Sequence, residues 1–243
     1  MTIEPPAAGE RRRPTGPRNP GDAWVVAPTG ERYWGRFGAA GLLALDAERG
    51  VLLQHRVEWS HFGGTWALPG GARHEGESAL DAALREAGEE AGVPSWAIRP
   101  RMVSVLDLDI WSYTTVVGDV VTSFEAVIAD PESLALAWVP PDEVAELPLH
   151  PGFAASWTKL RPLLGVRPVV LVDAANVVGS VPDGWWNDRA GATRRLLARI
   201  ESMVARGVAA GDLGLPAATW FPEWVVVVEG RASSVTGPPV VRL

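Results

Sequence analysis

The chain has 243 residues and a formal net charge of −7, with 12 tryptophans, four histidines and no cysteine. That length suits one large domain, or an ordinary domain with part of a second. The negative balance argues against sequence-independent binding to a nucleic-acid backbone, and leaves a bound cation as the natural mediator for any polyanionic substrate. The absence of cysteine excludes disulfides, thiol nucleophiles and cysteine zinc sites, and the scattered histidines have no ligand spacing. No apolar run reaches the roughly 18 to 20 residues of a membrane helix, and no signal-peptide core is visible, so the sequence points to a cytoplasmic protein without a membrane partner.

In chain order, residues 1–22 are rich in Pro, Gly and Arg, including Arg11, Arg12, Arg13 and Arg18, and have no hydrophobic period. They read as a disordered, solvated N-terminal arm. Residues 38–45 and 51–56 read as a strand pair around a turn at 46–50, followed by a loop at Gly63 and Gly64. The segment from Gly71 to Val93, GARHEGESALDAALREAGEEAGV, carries the most information. Ser78 with Asp81 has the form of a capping box, and Gly92 followed by Pro94 is a stop signal, so a helix is expected over 79–91. Leu80, Ala83, Leu84, Ala87 and Ala91 make an apolar face of mostly small side chains. Glu86, Glu89 and Glu90 make another, and neighbouring like charges at this spacing oppose the helix by about 0.2 to 0.5 kcal/mol per pair. Arg85 relieves them only in part, and Glu89 and Glu90 lie in the last turn, where the helix dipole disfavours them. A solvated acidic helix is the bland alternative; hard carboxylate oxygens in this arrangement suit Mg²⁺ or Mn²⁺.

Strands are then expected near 102–106, 113–121 and 124–129, a short helix from Asp142, and a closing helix over 153–164. A second unit starts at residue 168. Residues 169–172 form a short apolar run of the kind expected for a strand buried on both faces, ending in Asp173 with Asn176 three residues on, a place where open α/β sheets put ligands. An amphipathic helix over 188–207 and a buried-type strand over 225–228 follow.

The glycines, arginine and glutamates from Gly71 through Glu77 to Arg85-Glu86-Ala87-Gly88-Glu89-Glu90-Ala91-Gly92-Val93, with the lead-in from Trp66 to Gly70, resemble the Nudix box, the signature of hydrolases of nucleoside diphosphates linked to another group. Ala87 departs from the family's bulkier aliphatic residue. The resemblance implies an α/β fold, a Nudix α/β/α sandwich with a mixed sheet, over residues 23–165. It also implies a metal-dependent pyrophosphohydrolase acting on a small nucleotide, with water attacking a phosphorus of the diphosphate in line. Carried over by position, Glu86, Glu89 and Glu90 are the metal carboxylates, the Gly71 carbonyl is a fourth ligand, and Glu86 also orients or deprotonates the water. Arg85 fixes the carboxylates, and Glu77 holds Arg85 or supports the metal from behind. Arg56 matches a phosphate-contacting arginine of mutator-type members, and Glu132 a loop glutamate that binds metal or acts as base. Trp34, Trp59, Trp111 and Tyr113 are core residues first and base-stacking candidates second. Residues 168–243 resemble the front half of an NYN or PIN-like nuclease, an incomplete Rossmann-like unit with a vestigial site at Asp173 and Asn176. Asp183, Asp188 and Glu229 are its potential helpers, and no nuclease activity is expected from so few firmly placed acids. Exposed strands there invite docking or a homodimer. An RNA-processing protein and a non-cleaving nucleotide sensor stay open as alternative functions.

Overall fold

The computed structural model describes residues 1–5, 21–182, 184–228 and 240–242, which fall into two units, Met1–Leu164 and Gly165–Leu243. The first unit begins with an antiparallel ribbon of β1 (Thr2–Glu4), β2 (Trp24–Val26) and β3 (Arg32–Trp34). The first residues therefore form an exposed strand and not a disordered tail. Ile3 pairs with Val25 in the ladder, a three-residue signal hidden by the Pro- and Arg-rich composition around it. The rest of the expected arm, residues 6–20, lies outside the described residues.

The main sheet is built from β4 (Ala39–Asp46), β5 (Gly50–Arg56), β6 (Trp66–Ala67), β7 (Gly70–Ala72), β8 (Ile98–Asp107), β9 (Ser112–Val120) and β10 (Ser133–Val139). Its central order is β10-β5-β4-β9-β8, with β6 on β5 and β7 on β4. β4 and β9 run parallel while the other pairs are antiparallel, so the sheet is mixed. Leu42, Ala44, Leu52 and Val116 from its centre form one core with Ala82, Ala83, Ala87 and Ala91 of α1 (Ala79–Ala91). Small side chains bring that helix close to the sheet, and with it the carboxylates it carries. Helix α2 (Pro151–Leu160) buries Phe153, Trp157 and Leu160, and a single 3₁₀ turn stands at residues 144–146, where a short helix is expected.

Residues 124–129 are not a strand. Their amides are drawn to the end of α1: Val127 N–H donates to the Ala91 carbonyl at 3.1 Å and Ala129 N–H to the Glu90 carbonyl at 3.2 Å. The last carbonyls of a helix have no partner within it, and this segment supplies one. The strand that pairs with β5 comes later, at β10.

In the second unit, β11 (Val169–Asp173), α3 (Ala174–Gly179), α4 (Arg189–Arg206), β12 (Val208–Ala209), β13 (Thr219–Trp220), β14 (Glu223–Val228) and β15 (Val240–Arg242) follow in order. β11, β14 and β15 form a parallel sheet, and β12 pairs with β13. Ala174 of α3 and Ile200 of α4 pack with Val170, Val172, Trp224, Val226 and Val228. Both helices cover the same face, so β11 is not buried on both sides: Val169 is 58% and Leu171 70% exposed. No helix of the described residues is long and apolar enough to cross a membrane.

Candidate active site

Helix α1 starts and stops where its punctuation predicts. The Ser78 hydroxyl accepts from Asp81 N–H at 3.1 Å and donates to the Asp81 carboxylate at 2.6 Å, and Gly92 closes the helix in the left-handed region at φ 65°. Of the glutamate face only Glu89 looks outward. Glu86 and Glu90 are only 4% and 3% exposed, on the same side as Ala83 and Ala87, because the alanines are too short to hold the helix away from β4 and β7.

Arg85 organises the site. Its Nε and Nη2 donate to the two Glu77 oxygens at 2.7 and 2.8 Å, its Nη1 to Glu86 at 2.7 Å and Glu89 at 3.2 Å, and its Nη2 also to the Ala72 carbonyl at 3.1 Å. A planar guanidinium can serve these acceptors in one fixed geometry; an ammonium cannot. The hydrogen bonds from Arg85 hold the Glu77 carboxyl down at about 2, and Glu77 in turn raises Arg85 above its usual value. Glu90 accepts from Gly70 N–H at 2.8 Å. Burial first, then the charges of Glu86, Glu132 and Asp130, push its pKa well above the ordinary carboxylate range. Glu132 thus stands within electrostatic reach of the cluster. Asp130 does too, and sequence reasoning missed it; its signal is its place two residues before Glu132, whose N–H it accepts at 2.7 Å.

Gly71 explains the contact between β7 and the helix. A Cβ on Gly71 would lie 2.7 Å from the Glu86 carboxyl carbon, so only glycine lets that carboxylate rest on the backbone of the turn. Arg85 offsets only part of the negative charge gathered here: it holds Glu86, while the charged form of buried Glu90 stays strongly disfavoured, and a hard divalent cation fits the remaining deficit. With Glu86 and Glu89 turned to Arg85 and Glu90 to Gly70, no three acidic or histidine side chains of the described residues stand together as a ready-made cage.

Arg56 lies at the end of β5, its Nε 3.3 Å from the His61 carbonyl. Its charge is felt by Tyr113, which also feels Glu90 and Glu86, and by His61 and His150. Arg56 therefore links the acidic cluster to an aromatic group that the sequence reading did not single out. Phe62 stands 4.7 Å from His150 and 4.3 Å from His61, and Trp24 of β2 stands 5.5 Å from His61. The His150-Pro151-Gly152 start signal of α2 is the one clue to it. Of the stacking candidates, Trp111 is stacked on Tyr33 at 5.0 Å and bonded to the Trp34 carbonyl at 3.0 Å, Trp59 is exposed, and burial raises the Tyr113 hydroxyl.

In the second unit, Asp173 caps α3. It accepts from Asn176 N–H at 3.1 Å and from the Asn176 side chain at 2.7 Å. Asp188 caps α4 by accepting from Gly191 N–H at 2.8 Å. These acids have structural work at helix starts; Asp183 and Glu229 lie outside the described residues.

The NUDIX domain family model matches residues 35–160. A Mycobacterium tuberculosis protein provisionally named 8-oxo-dGTP diphosphatase 3 is 46% identical over 179 residues, covering 70% of this chain and 80% of that protein. A nucleoside triphosphate pyrophosphatase/Nudix hydrolase fusion protein of Bifidobacterium longum is 38% identical over 156 residues, 58% of this chain and 31% of that protein. The crystal structure of a Nudix hydrolase from Mycobacterium smegmatis, RenU, superposes with a TM-score of 0.55 at 48% identity, covering 59% of this chain and 95% of that one.

Proposed function

Because the chain belongs to the Nudix family of pyrophosphohydrolases, we propose that it hydrolyses a phosphoanhydride of a nucleoside triphosphate, giving a nucleoside monophosphate and pyrophosphate, with Mg²⁺ or Mn²⁺ as cofactor. The observation that supports this reading is the pair of buried carboxylates, Glu86 packed under Gly71 and tied to the Glu77–Arg85 clamp, and Glu90 held by Gly70 N–H. The name of the M. tuberculosis relative favours a purine deoxynucleoside triphosphate, oxidised or not.

Glu86, Glu89, Glu90, the Gly71 carbonyl and Glu132 are the groups that would hold the cation. When bound it supplies Lewis-acid stabilisation of the charge that builds on the anhydride oxygens, worth several kcal/mol in the transition state. The remaining work belongs to the chain. Glu86 is the base in this reading: it accepts a proton from the attacking water as the new P–O bond forms, and the P–O bond to the leaving pyrophosphate breaks with its electron pair on oxygen. Arg85 keeps the Glu86 carboxylate in one orientation, and Glu77 keeps Arg85. Arg56 is placed to neutralise substrate phosphates. The likeness of residues 168–243 to an NYN or PIN-like nuclease gains no support from the matches, and the caps at Asp173 and Asp188 account for two of its acids.

A screen that reads pyrophosphate release from ordinary and oxidised nucleoside triphosphates, and nucleotide products from ADP-ribose and dinucleoside polyphosphates, with Mg²⁺ or Mn²⁺, tests the assignment. Turnover of a nucleoside triphosphate that drops at least tenfold in Glu86→Gln is expected. Nucleotide binding without turnover of any substrate would favour the sensor reading instead.

A further inference from the structure

Gln54 of β5 is fully buried, and only one half of its amide is in use. Its Nε2 donates to the Ser133 hydroxyl at 2.8 Å. Its Oε1 is buried as well and accepts from no group of the described residues. An unpaired buried acceptor opposes folding, and an apolar side chain of the same shape would not carry that cost. The neighbours of Gln54 place this oxygen on the α1 side of the sheet. Side chains two apart on a strand share a face, and Leu52 packs into the core under α1. Leu136, directly opposite Gln54 on β10, packs against the same core. Arg56 is the next residue of β5 on that face.

The start of β10 is bent to meet this amide. Regular alternation from Leu136 would pair Leu134 with Arg56 and turn it inward. Instead the ladder shifts register between Ser133 and Ala135, Ser133 pairs with Arg56, and Leu134 is left 50% exposed while Ser133 is buried. A bulge re-aims a side chain. Here it exchanges a leucine for a hydroxyl at a place where packing alone favours the leucine. The same segment runs past the acidic cluster. Ala129 N–H donates to the Glu90 carbonyl at 3.2 Å, and the Glu132 carbonyl accepts from Val57 N–H at 3.0 Å. Residues 129–133 are thus strung from the end of α1 to β5, with Glu132 within electrostatic reach of Glu90 and the Gln54 amide at the far end.

We propose that Gln54 is a positioning residue for the cation: its Oε1 accepts a hydrogen bond from a water of the cation that Glu90 and Glu132 hold, and Ser133, by engaging Nε2, fixes which end of the amide faces that water. Mg²⁺ keeps several of its waters when bound by a protein, and their hydrogens point away from the metal and need acceptors. Further carboxylates could serve, but each would add charge to a cluster in which the charged form of buried Glu90 is already strongly disfavoured. A neutral amide oxygen accepts without adding any. Groups that stand behind the ligands of a metal orient them and set its affinity. The inference rests on the cation site of the pyrophosphohydrolase reading, and concerns only which residue orders the water beside it.

The test is Mn²⁺ binding to the full chain without nucleotide, read from the electron paramagnetic resonance of the free ion. Gln54→Leu combined with Ser133→Ala removes both ends of the hydrogen bond and leaves neither unpaired. With chelator its Tm is expected at or above that of the wild type, while its Kd for Mn²⁺ is weaker by about tenfold. Gln54→Glu keeps an acceptor in place, with the Ser133 hydroxyl turning to donate, and is expected to bind Mn²⁺ at least as tightly as the wild type. In pyrophosphate release, the double variant should need about tenfold more Mg²⁺ for half its maximal rate and then approach the wild-type kcat, because the carboxylates are intact. A merely structural Gln54 would instead lower Tm with chelator and leave the Mg²⁺ requirement alone. A Kd within about twofold of the wild type in the double variant, or a loss of affinity that Gln54→Glu shares, would overturn the proposal. If the wild type binds Mn²⁺ but cleaves no nucleotide, weaker binding in the double variant still supports the role of Gln54 while the hydrolase reading falls. A wild type that binds no Mn²⁺ refutes both.

Discussion

Glu90 shows how one residue can oppose folding and serve chemistry. In the metal-free protein its carboxylate is buried, accepts from Gly70 N–H, and faces the charges of Glu86, Glu132 and Asp130. Burial disfavours the charged form, and at neutral pH that penalty lowers stability. Glu90→Gln keeps the shape and an oxygen for Gly70 N–H while removing the charge. In the presence of chelator, the melting temperature of Glu90→Gln is expected to exceed that of the wild type. With Mg²⁺, hydrolysis is expected to fall by roughly tenfold to a hundredfold, the range for lost partners of a metal site. Calorimetry with chelator and pyrophosphate release with Mg²⁺ check the two halves. A variant that is less stable without metal, or as active with it, would place the acid outside the site.

At the scale of elements, the C-terminal end of α1 joins helix and loop. Gly92 sits at φ 65°, and a Cβ there would press on the Val127 side chain. Val127 belongs to the segment that gives amides to Ala91 and Glu90 and runs on to Asp130 and Glu132. Gly92→Ala therefore meets both a backbone cost of about 1 kcal/mol and a displaced segment. It is expected to lower Tm and activity together, whereas Gly165→Ala, where a Cβ would meet nothing within 4 Å, should change neither. Intact activity in Gly92→Ala would show that the 124–132 segment does not shape the site. The helix itself was legible from sequence because Ser78, Asp81 and Gly92 act locally. Glu77, Arg85 and Glu86 were legible as a group through the resemblance to the Nudix box, whose spacing one helix and its preceding turn carry. Residues 124–129 were misread because a short apolar stretch of this length matches a strand, while the stronger demand came from helix carbonyls nearly 40 residues earlier in the chain. Phe62 and His150 stayed invisible for a similar reason: β5 and α2 bring them together, and no local pattern announces it.

At the scale of the whole molecule, the −7 charge and the inward-facing carboxylates both act against folding at low ionic strength, and salt and metal should relieve them differently. Monovalent salt screens exposed charges and scarcely reaches buried Glu86 and Glu90. A divalent cation that binds only the folded state stabilises it by RT ln(1 + [L]/Kd), about 2.7 kcal/mol at a hundredfold excess over Kd. For a unit the size of Met1–Leu164, that corresponds to roughly 5 to 10 °C in Tm. Millimolar Mg²⁺ or Mn²⁺ should therefore raise the Tm of that unit well beyond NaCl at matched ionic strength, and in Glu90→Ala the divalent advantage should shrink. The second unit is an internal control, since its acids at Asp173 and Asp188 cap helices and give a cation no buried charge to neutralise. A calorimetric trace in which the divalent ion shifts only the transition that Glu90→Ala also alters assigns binding to the α1 carboxylates. An equal shift with NaCl would instead mean that the ion only screens net charge, and would remove the physical basis for a metal-dependent reaction at this site.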